Sequence, residues 1–126
     1  MRKWLRLATL PLFALSVSPA SAHHSYSMFD RSKELILAGT VKEYHFTNPH
    51  SWLTIVVRDA SGKDATWILE GGSVSQLARN GWTSTSMKPG DRVTAKVYRT
   101  KDGSNKGEFH GVITADGKTL GFTPRY

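Results

Sequence analysis

Residues 35–58 do the most to limit what this chain can become. Within them Leu53, Ile55 and Val57 alternate with Thr54, Val56 and Arg58, the period-two signature of a strand with one buried face. Residues 35–46 form a second run in which β-branched and aromatic side chains suit a pleated, half-buried surface. Between the runs stands Thr47-Asn48-Pro49-His50-Ser51, where Asn and Pro supply turn geometry instead of ladder hydrogen bonds. The pattern predicts two strands, 35–46 and 52–58, folded back on each other at this hinge. His50 sits beside the hinge, where loops tend to carry function.

The first 22 residues read as a cleaved secretory signal. A basic start, Met1-Arg2-Lys3-Trp4-Leu5-Arg6, leads into an apolar run over 7–17 and a small-residue cleavage site, Ala20-Ser21-Ala22. Pro11 interrupts the run, which is too short for a bilayer-spanning helix. With no adjacent Arg-Arg pair, a general secretory signal is expected rather than a twin-arginine one. Cleavage after Ala22 makes His23 the N-terminus. Of 17 Lys+Arg, Arg2, Lys3 and Arg6 leave with the signal, so 14 remain against 10 Asp+Glu, a net +4. That modest charge favours solubility and acidic partners and is a weak nucleic-acid signal. The absence of cysteine excludes disulfides and a lipidated Cys. The expectation is a freely soluble periplasmic or secreted protein with no stable membrane insertion after cleavage, and no nucleic-acid partner.

Residues 23–34 read as a lead-in without a clean period, with Arg31-Ser32-Lys33-Glu34 as a turn, and residues 35–126 as one domain. Gly39 inside the first strand implies a bulge or bend. A third strand is expected at 65–70. After Gly71-Gly72, Ser73-Val74-Ser75-Gln76 has capping-box spacing. Val74, Leu77 and Ala78 give a short helix one apolar side, Gly81 ends it, and Trp82 plugs the core. Val93, Ala95 and Val97 mark strand four, residues 108–114 strand five, and 119–122 a last short segment. Three strands, a short helix and two strands define an all-β fold with one helix, a small five-stranded OB-like barrel. An SH3-like barrel is the rival, but it would not need the capped helix.

Several short motifs recur in combination: His23-His24-Ser25 with Phe29-Asp30, Gly39-Thr40-Val41, Asn48-Pro49-His50 with Trp52, and Trp67 with Glu70. Arg79, Gly81-Trp82, Pro89-Gly90-Asp91 and Lys101-Asp102-Gly103-Ser104 complete the set. Together they resemble a family of short exported bacterial proteins catalogued only as a domain of unknown function, family 6152. The resemblance spans essentially the whole processed chain. It implies fold and location, and no established activity.

The sharpest chemistry belongs to His23. As an N-terminal residue it offers an α-amine and an imidazole to one metal ion, with His24 next to it and His50 in the hinge. Such a nitrogen-rich set, with Asp30 or Glu70 as a further donor, suits Cu(II). The competing reading has two solvated histidines on a frayed terminus. Asn48, His50, Trp52, Trp67 and Glu70 are the candidate ligand-binding residues, with Trp52 and Trp67 as an aromatic face. His45 and His110 read as surface or satisfied strand residues. No Gly-x-Ser-x-Gly elbow, phosphate loop or His-Glu-x-x-His motif is present, so nothing argues for an enzyme. The expected function is an exported binding domain that holds a small ligand or partner protein near the first hairpin loop. The alternative is a periplasmic copper-binding or copper-delivery protein using His23, His24 and His50.

Overall fold

The longest strand, β1 (Phe29–His45), belongs to two halves of the molecule at once. Its C-terminal part, Thr40 to His45, pairs antiparallel with β2 (Trp52–Arg58), while Phe29 to Thr40 pairs with β4 (Arg92–Thr100). The computed structural model describes residues 28–121. Its remaining elements are β3 (Asp64–Glu70), α1 (Val74–Ala78), β5 (Lys106–Thr114) and β6 (Thr119–Gly121). β2 pairs with β3 and β4 with β5, and a short parallel pairing of Ile68, Leu69 and Glu70 with Lys106, Gly107 and Glu108 closes the ring. This is the five-stranded barrel of OB type, with β6 added on the far half of β5.

Alternation fills the barrel. Leu53, Ile55, Trp67, Leu69, Val93, Ala95, Val97, Phe109 and Val112 point inward and are buried. At the helix, Ser73 accepts from the Gln76 amide and the Gln76 side chain takes the Ser73 N–H, a complete capping box. Gly81, at φ 84°, ends the helix; Gly81 N donates to Ala78 O and Trp82 N to Leu77 O, the paired bonds of a Schellman stop. Leu77 and Trp82 are thereby carried into the core, where Trp82 lies 5.4 Å from the Phe109 ring and donates Nε1–H to Gly121 O.

Two local expectations are corrected. Arg31-Ser32-Lys33-Glu34 is not a turn ahead of the barrel but part of β1, which starts at Phe29. Phe29 is buried and anchors the segment, and the polar stretch is absorbed as an irregularity in register between Phe29 and Glu34. Gly39 is not itself the bulge, which lies between Val41 and Glu43. Its lack of a side chain serves close approach instead: a Cβ there would meet Val56 O at 2.7 Å.

Candidate functional site

The hinge between β1 and β2 is bound to the junction of β3 and α1. Ser51 N donates to Gly72 O and Gly71 N to Ser51 O, both at 2.8 Å. Asn48 Oδ1 accepts from Val74 N at 3.0 Å, at the first turn of α1. Thr47 Oγ1 donates to His50 O, and the buried Ser51 hydroxyl bridges Thr47. The Asn48–Pro49 peptide is cis.

This frame fixes the His50 ring. Its Nδ1 is 3.1 Å from Gly71 O and 3.1 Å from Glu70 Oε1. Both neighbours only accept hydrogen bonds, so the neutral ring carries its proton on Nδ1 and keeps a lone pair on Nε2. No described residue hydrogen-bonds that Nε2, and the side chain stays partly exposed. An imidazole oriented through one nitrogen by a carboxylate and a carbonyl, with the other nitrogen outward, is equipped to accept a hydrogen bond or bind a metal.

Glu70 extends the arrangement across the barrel. In register it stands beside Trp52 on β2 and beside Glu108 on β5. Glu108, with a side chain only 5% exposed, is paired with Arg31 of β1 at 2.9 Å. His50, Glu70, Glu108 and Arg31 therefore form a polar band across the outside of the barrel, linking the hinge to the start of the described chain. Trp52 and Ile68, both exposed, lie beside it as diagonal neighbours on β2 and β3. The β4–β5 loop borders the band, since Ile68 N donates to Asn105 O and Lys101 N to Met28 O.

Not every expected residue joins this face. Trp52 and Trp67 do not share a surface: Trp52 points out and Trp67 into the core, because they occupy positions of opposite parity in the β2–β3 register. Trp67 instead carries the Arg99 guanidinium 5.0 Å from its ring centre. Arg99 in turn donates to Ser104 O, Gly103 O and Asn105 Oδ1, so the β4–β5 loop is pinned over the barrel end. The Asn48 carboxamide oxygen is taken up by α1. Asp30 accepts from the Ser32 amide and hydroxyl, which holds its carboxyl below the usual range. His23 and His24 lie outside the described residues, and among the described residues no group of three metal-type side chains is assembled.

A second polar cluster escapes a strand-by-strand reading. His110, two residues beyond Glu108 on the same face of β5, stacks on Tyr98 with ring centres 4.4 Å apart. Its Nε2 lies 3.0 Å from Glu34 Oε2 without hydrogen-bond alignment. Burial pushes the His110 imidazole below its ordinary value, against the opposing pull of Glu34. The signal was the alternation Glu108-Phe109-His110, which places both polar residues outside. Their partners came from a segment read as a turn. His45 is exposed beside Glu43.

Fold and face together define a small closed barrel of OB type with one histidine-, carboxylate- and tryptophan-bearing outer surface. By its match to the family model over residues 12–109, the chain belongs to the Family of unknown function (DUF6152). No curated protein and no solved structure is significantly similar to it. Among the described residues no helix is long and apolar enough to cross a membrane.

Proposed function

We propose that this is an exported, soluble binding domain, periplasmic or secreted, that takes a small ligand or partner protein on the face beside the β1–β2 loop. The observation that carries this reading is His50: its Nδ1 lies against Gly71 O and Glu70 Oε1, its Nε2 has no hydrogen-bond partner among the described residues, and the side chain is partly exposed on the face that also carries exposed Trp52 and Ile68. A ring oriented through Nδ1 by the loop frame leaves Nε2 for another partner. Amide-resolved NMR with a small-fragment set tests it. Perturbations should cluster at Asn48, His50, Trp52, Ile68 and Glu70 and vanish in His50→Ala. Clustering on another face would overturn the reading.

A second reading is a copper-binding or copper-delivery protein, and the same tautomer favours it, because a ligating imidazole is oriented through its other nitrogen by such partners. His23 precedes Met28 by five residues, about 17 Å when extended, and Arg31 reaches the band that holds His50. With cleavage after Ala22, the His23 amine, His23 or His24 imidazole and His50 would supply the nitrogen donors. Titration of processed protein with Cu(II), followed by electron paramagnetic resonance, should give stoichiometric nitrogen-rich binding that is lost in His23→Ala and in His50→Ala. Binding indifferent to both substitutions removes this reading and leaves the first.

A further inference from the structure

Trp52 is the platform of the face beside the β1–β2 loop. It is exposed, with His45 directly opposite on β1 and Glu70 directly opposite on β3, so the three side chains share one row on the outside of the barrel. Glu43, Thr54 and exposed Ile68 make the next row. The polar groups of these rows have one hydrogen-bonding sense. Glu70 Oε1 stands against His50 Nδ1 at 3.1 Å and Glu43 Oε2 against His45 Nε2 at 3.3 Å. Each neutral imidazole thus spends its N–H on its own frame and offers a lone pair, while each carboxylate only accepts. What the face presents to a ligand is acceptors, and the complementary ligand donates.

Charge narrows the ligand further. The Glu70 side chain is only 13% exposed, yet among the described residues its ion-pair partner is an imidazole and not a lysine or arginine. The same holds for Glu43. The cations around the face are engaged elsewhere. Arg31 pairs with Glu108 at 2.9 Å, Arg99 donates to carbonyls of the β4–β5 loop, and Lys106, beside Ile68, acts on Asp102. A carboxylate so far withdrawn from water is stabilised by an opposite charge close to it. An anionic ligand would instead meet Glu70 and Glu43 with no cation to receive it. A sugar could stack on Trp52, but its hydroxyls would leave the Glu70 charge unneutralised. An organic cation meets every requirement at once: its charge lies over the indole, its N–H groups reach the carboxylate as charge-assisted hydrogen bonds, and its aliphatic part covers Ile68.

We propose that the ligand of this face is a small organic cation, an aliphatic chain ending in a guanidinium or ammonium group, seated on Trp52 and hydrogen-bonded to Glu70. This rests on the binding-face reading and gives it a ligand class. The probe is n-butylguanidinium, set against n-butylurea, which has the same shape and no charge, and against glucose. In NMR titrations n-butylguanidinium should shift the Trp52 indole N–H and the amides of His50 and Glu70. Its affinity should exceed that of n-butylurea by about tenfold or more, as a charge-assisted hydrogen bond requires, and should fall as salt is raised. Glu70→Gln keeps an oxygen to face His50 and should weaken n-butylguanidinium by about tenfold while leaving n-butylurea unchanged. Trp52→Leu, at an exposed position, should weaken it several-fold with the wild-type circular dichroism retained. If n-butylurea or glucose shifts the same residues with equal or higher affinity, or Glu70→Gln has no effect on n-butylguanidinium, the proposal falls and the binding-face reading stands. If none of the three probes and no member of the fragment set perturbs this face, both fall together.

Discussion

Gly71 has its place because Phe109 occupies the space a side chain would need. A Cβ there would sit 2.2 Å from Phe109 Cζ, and Phe109 is itself fully buried and packed against the Trp82 ring. The ring cannot retreat without displacing the plug that fills the barrel end. Gly71→Ala should therefore destabilise the fold by about 1–3 kcal/mol, the usual cost of overpacking, and should also disturb His50, whose Nδ1 partner is the Gly71 carbonyl. Trp82→Ala acts oppositely, leaving a void in a fully packed core, and should cost about 3–5 kcal/mol. Urea unfolding monitored by circular dichroism measures both. A Gly71→Ala variant as stable as wild type would mean that the Phe109–Trp82 stack yields more readily than its burial implies.

Elements acquire their positions from side chains that reach between them. The N-terminus of α1 is capped twice, by Ser73 within the helix and by Asn48 from the β1–β2 loop. Ser73→Ala should cost about 1 kcal/mol, the common value for a lost N-cap. Asn48→Ala should cost a similar amount and, unlike Ser73→Ala, loosen the hinge and broaden the His50 resonances in an NMR spectrum. Equal effects of both variants on His50 would mean that the loop is held by its backbone bonds alone. The capped helix was legible in the sequence because its determinants, Ser73, Gln76 and Gly81, are local and three to five residues apart. So was the alternation of β2 and β4, and through them the barrel. What was not legible depends on register. Nothing in the spacing of Trp52 and Trp67 reveals that they face opposite ways until β2 is aligned on β3. The pairing of Glu70 with Glu108 exists only because β3 and β5 close the ring. The polar run Arg31–Glu34 resembled a turn because its partners, Glu108 and His110, lie more than seventy residues away.

For the molecule as a whole, the titrating groups set limits at both ends of the pH scale. Hydrogen bonds and nearby cations hold the carboxyls of Asp59, Asp64, Asp91 and Asp116 below their usual 3.8, and Asp102, bonded by Ser104, is held at about 2. The unfolded chain takes up these protons first, so the stability they contribute is present above 3.8 and is lost as the pH falls through the folded values. His110 acts in the same direction at higher pH. Burial disfavours its charged form, and Lys96 adds to this against Glu34 and Glu108, so the folded value lies below 6.5. Its contribution is complete above 6.5 and declines as acid is added, because the unfolded imidazole is protonated first. At the alkaline end, burial raises Tyr44 from 10 to about 12, where its hydroxyl also donates to Thr83 O. The unfolded chain loses that proton first, so stability falls as the pH rises past 10 toward 12. Urea midpoints plotted against pH should thus show a plateau flanked by an acid decline in two steps and an alkaline decline in one. His110→Gln should remove the acid step nearest neutrality and leave the carboxylate step unchanged, while Tyr44→Phe should flatten the alkaline limb. If His110→Gln instead makes the decline just below pH 6.5 steeper than in the wild type, the contact of His110 with Glu34 outweighs its burial. Acid would then tighten the hold of β5 on the start of β1 instead of weakening it.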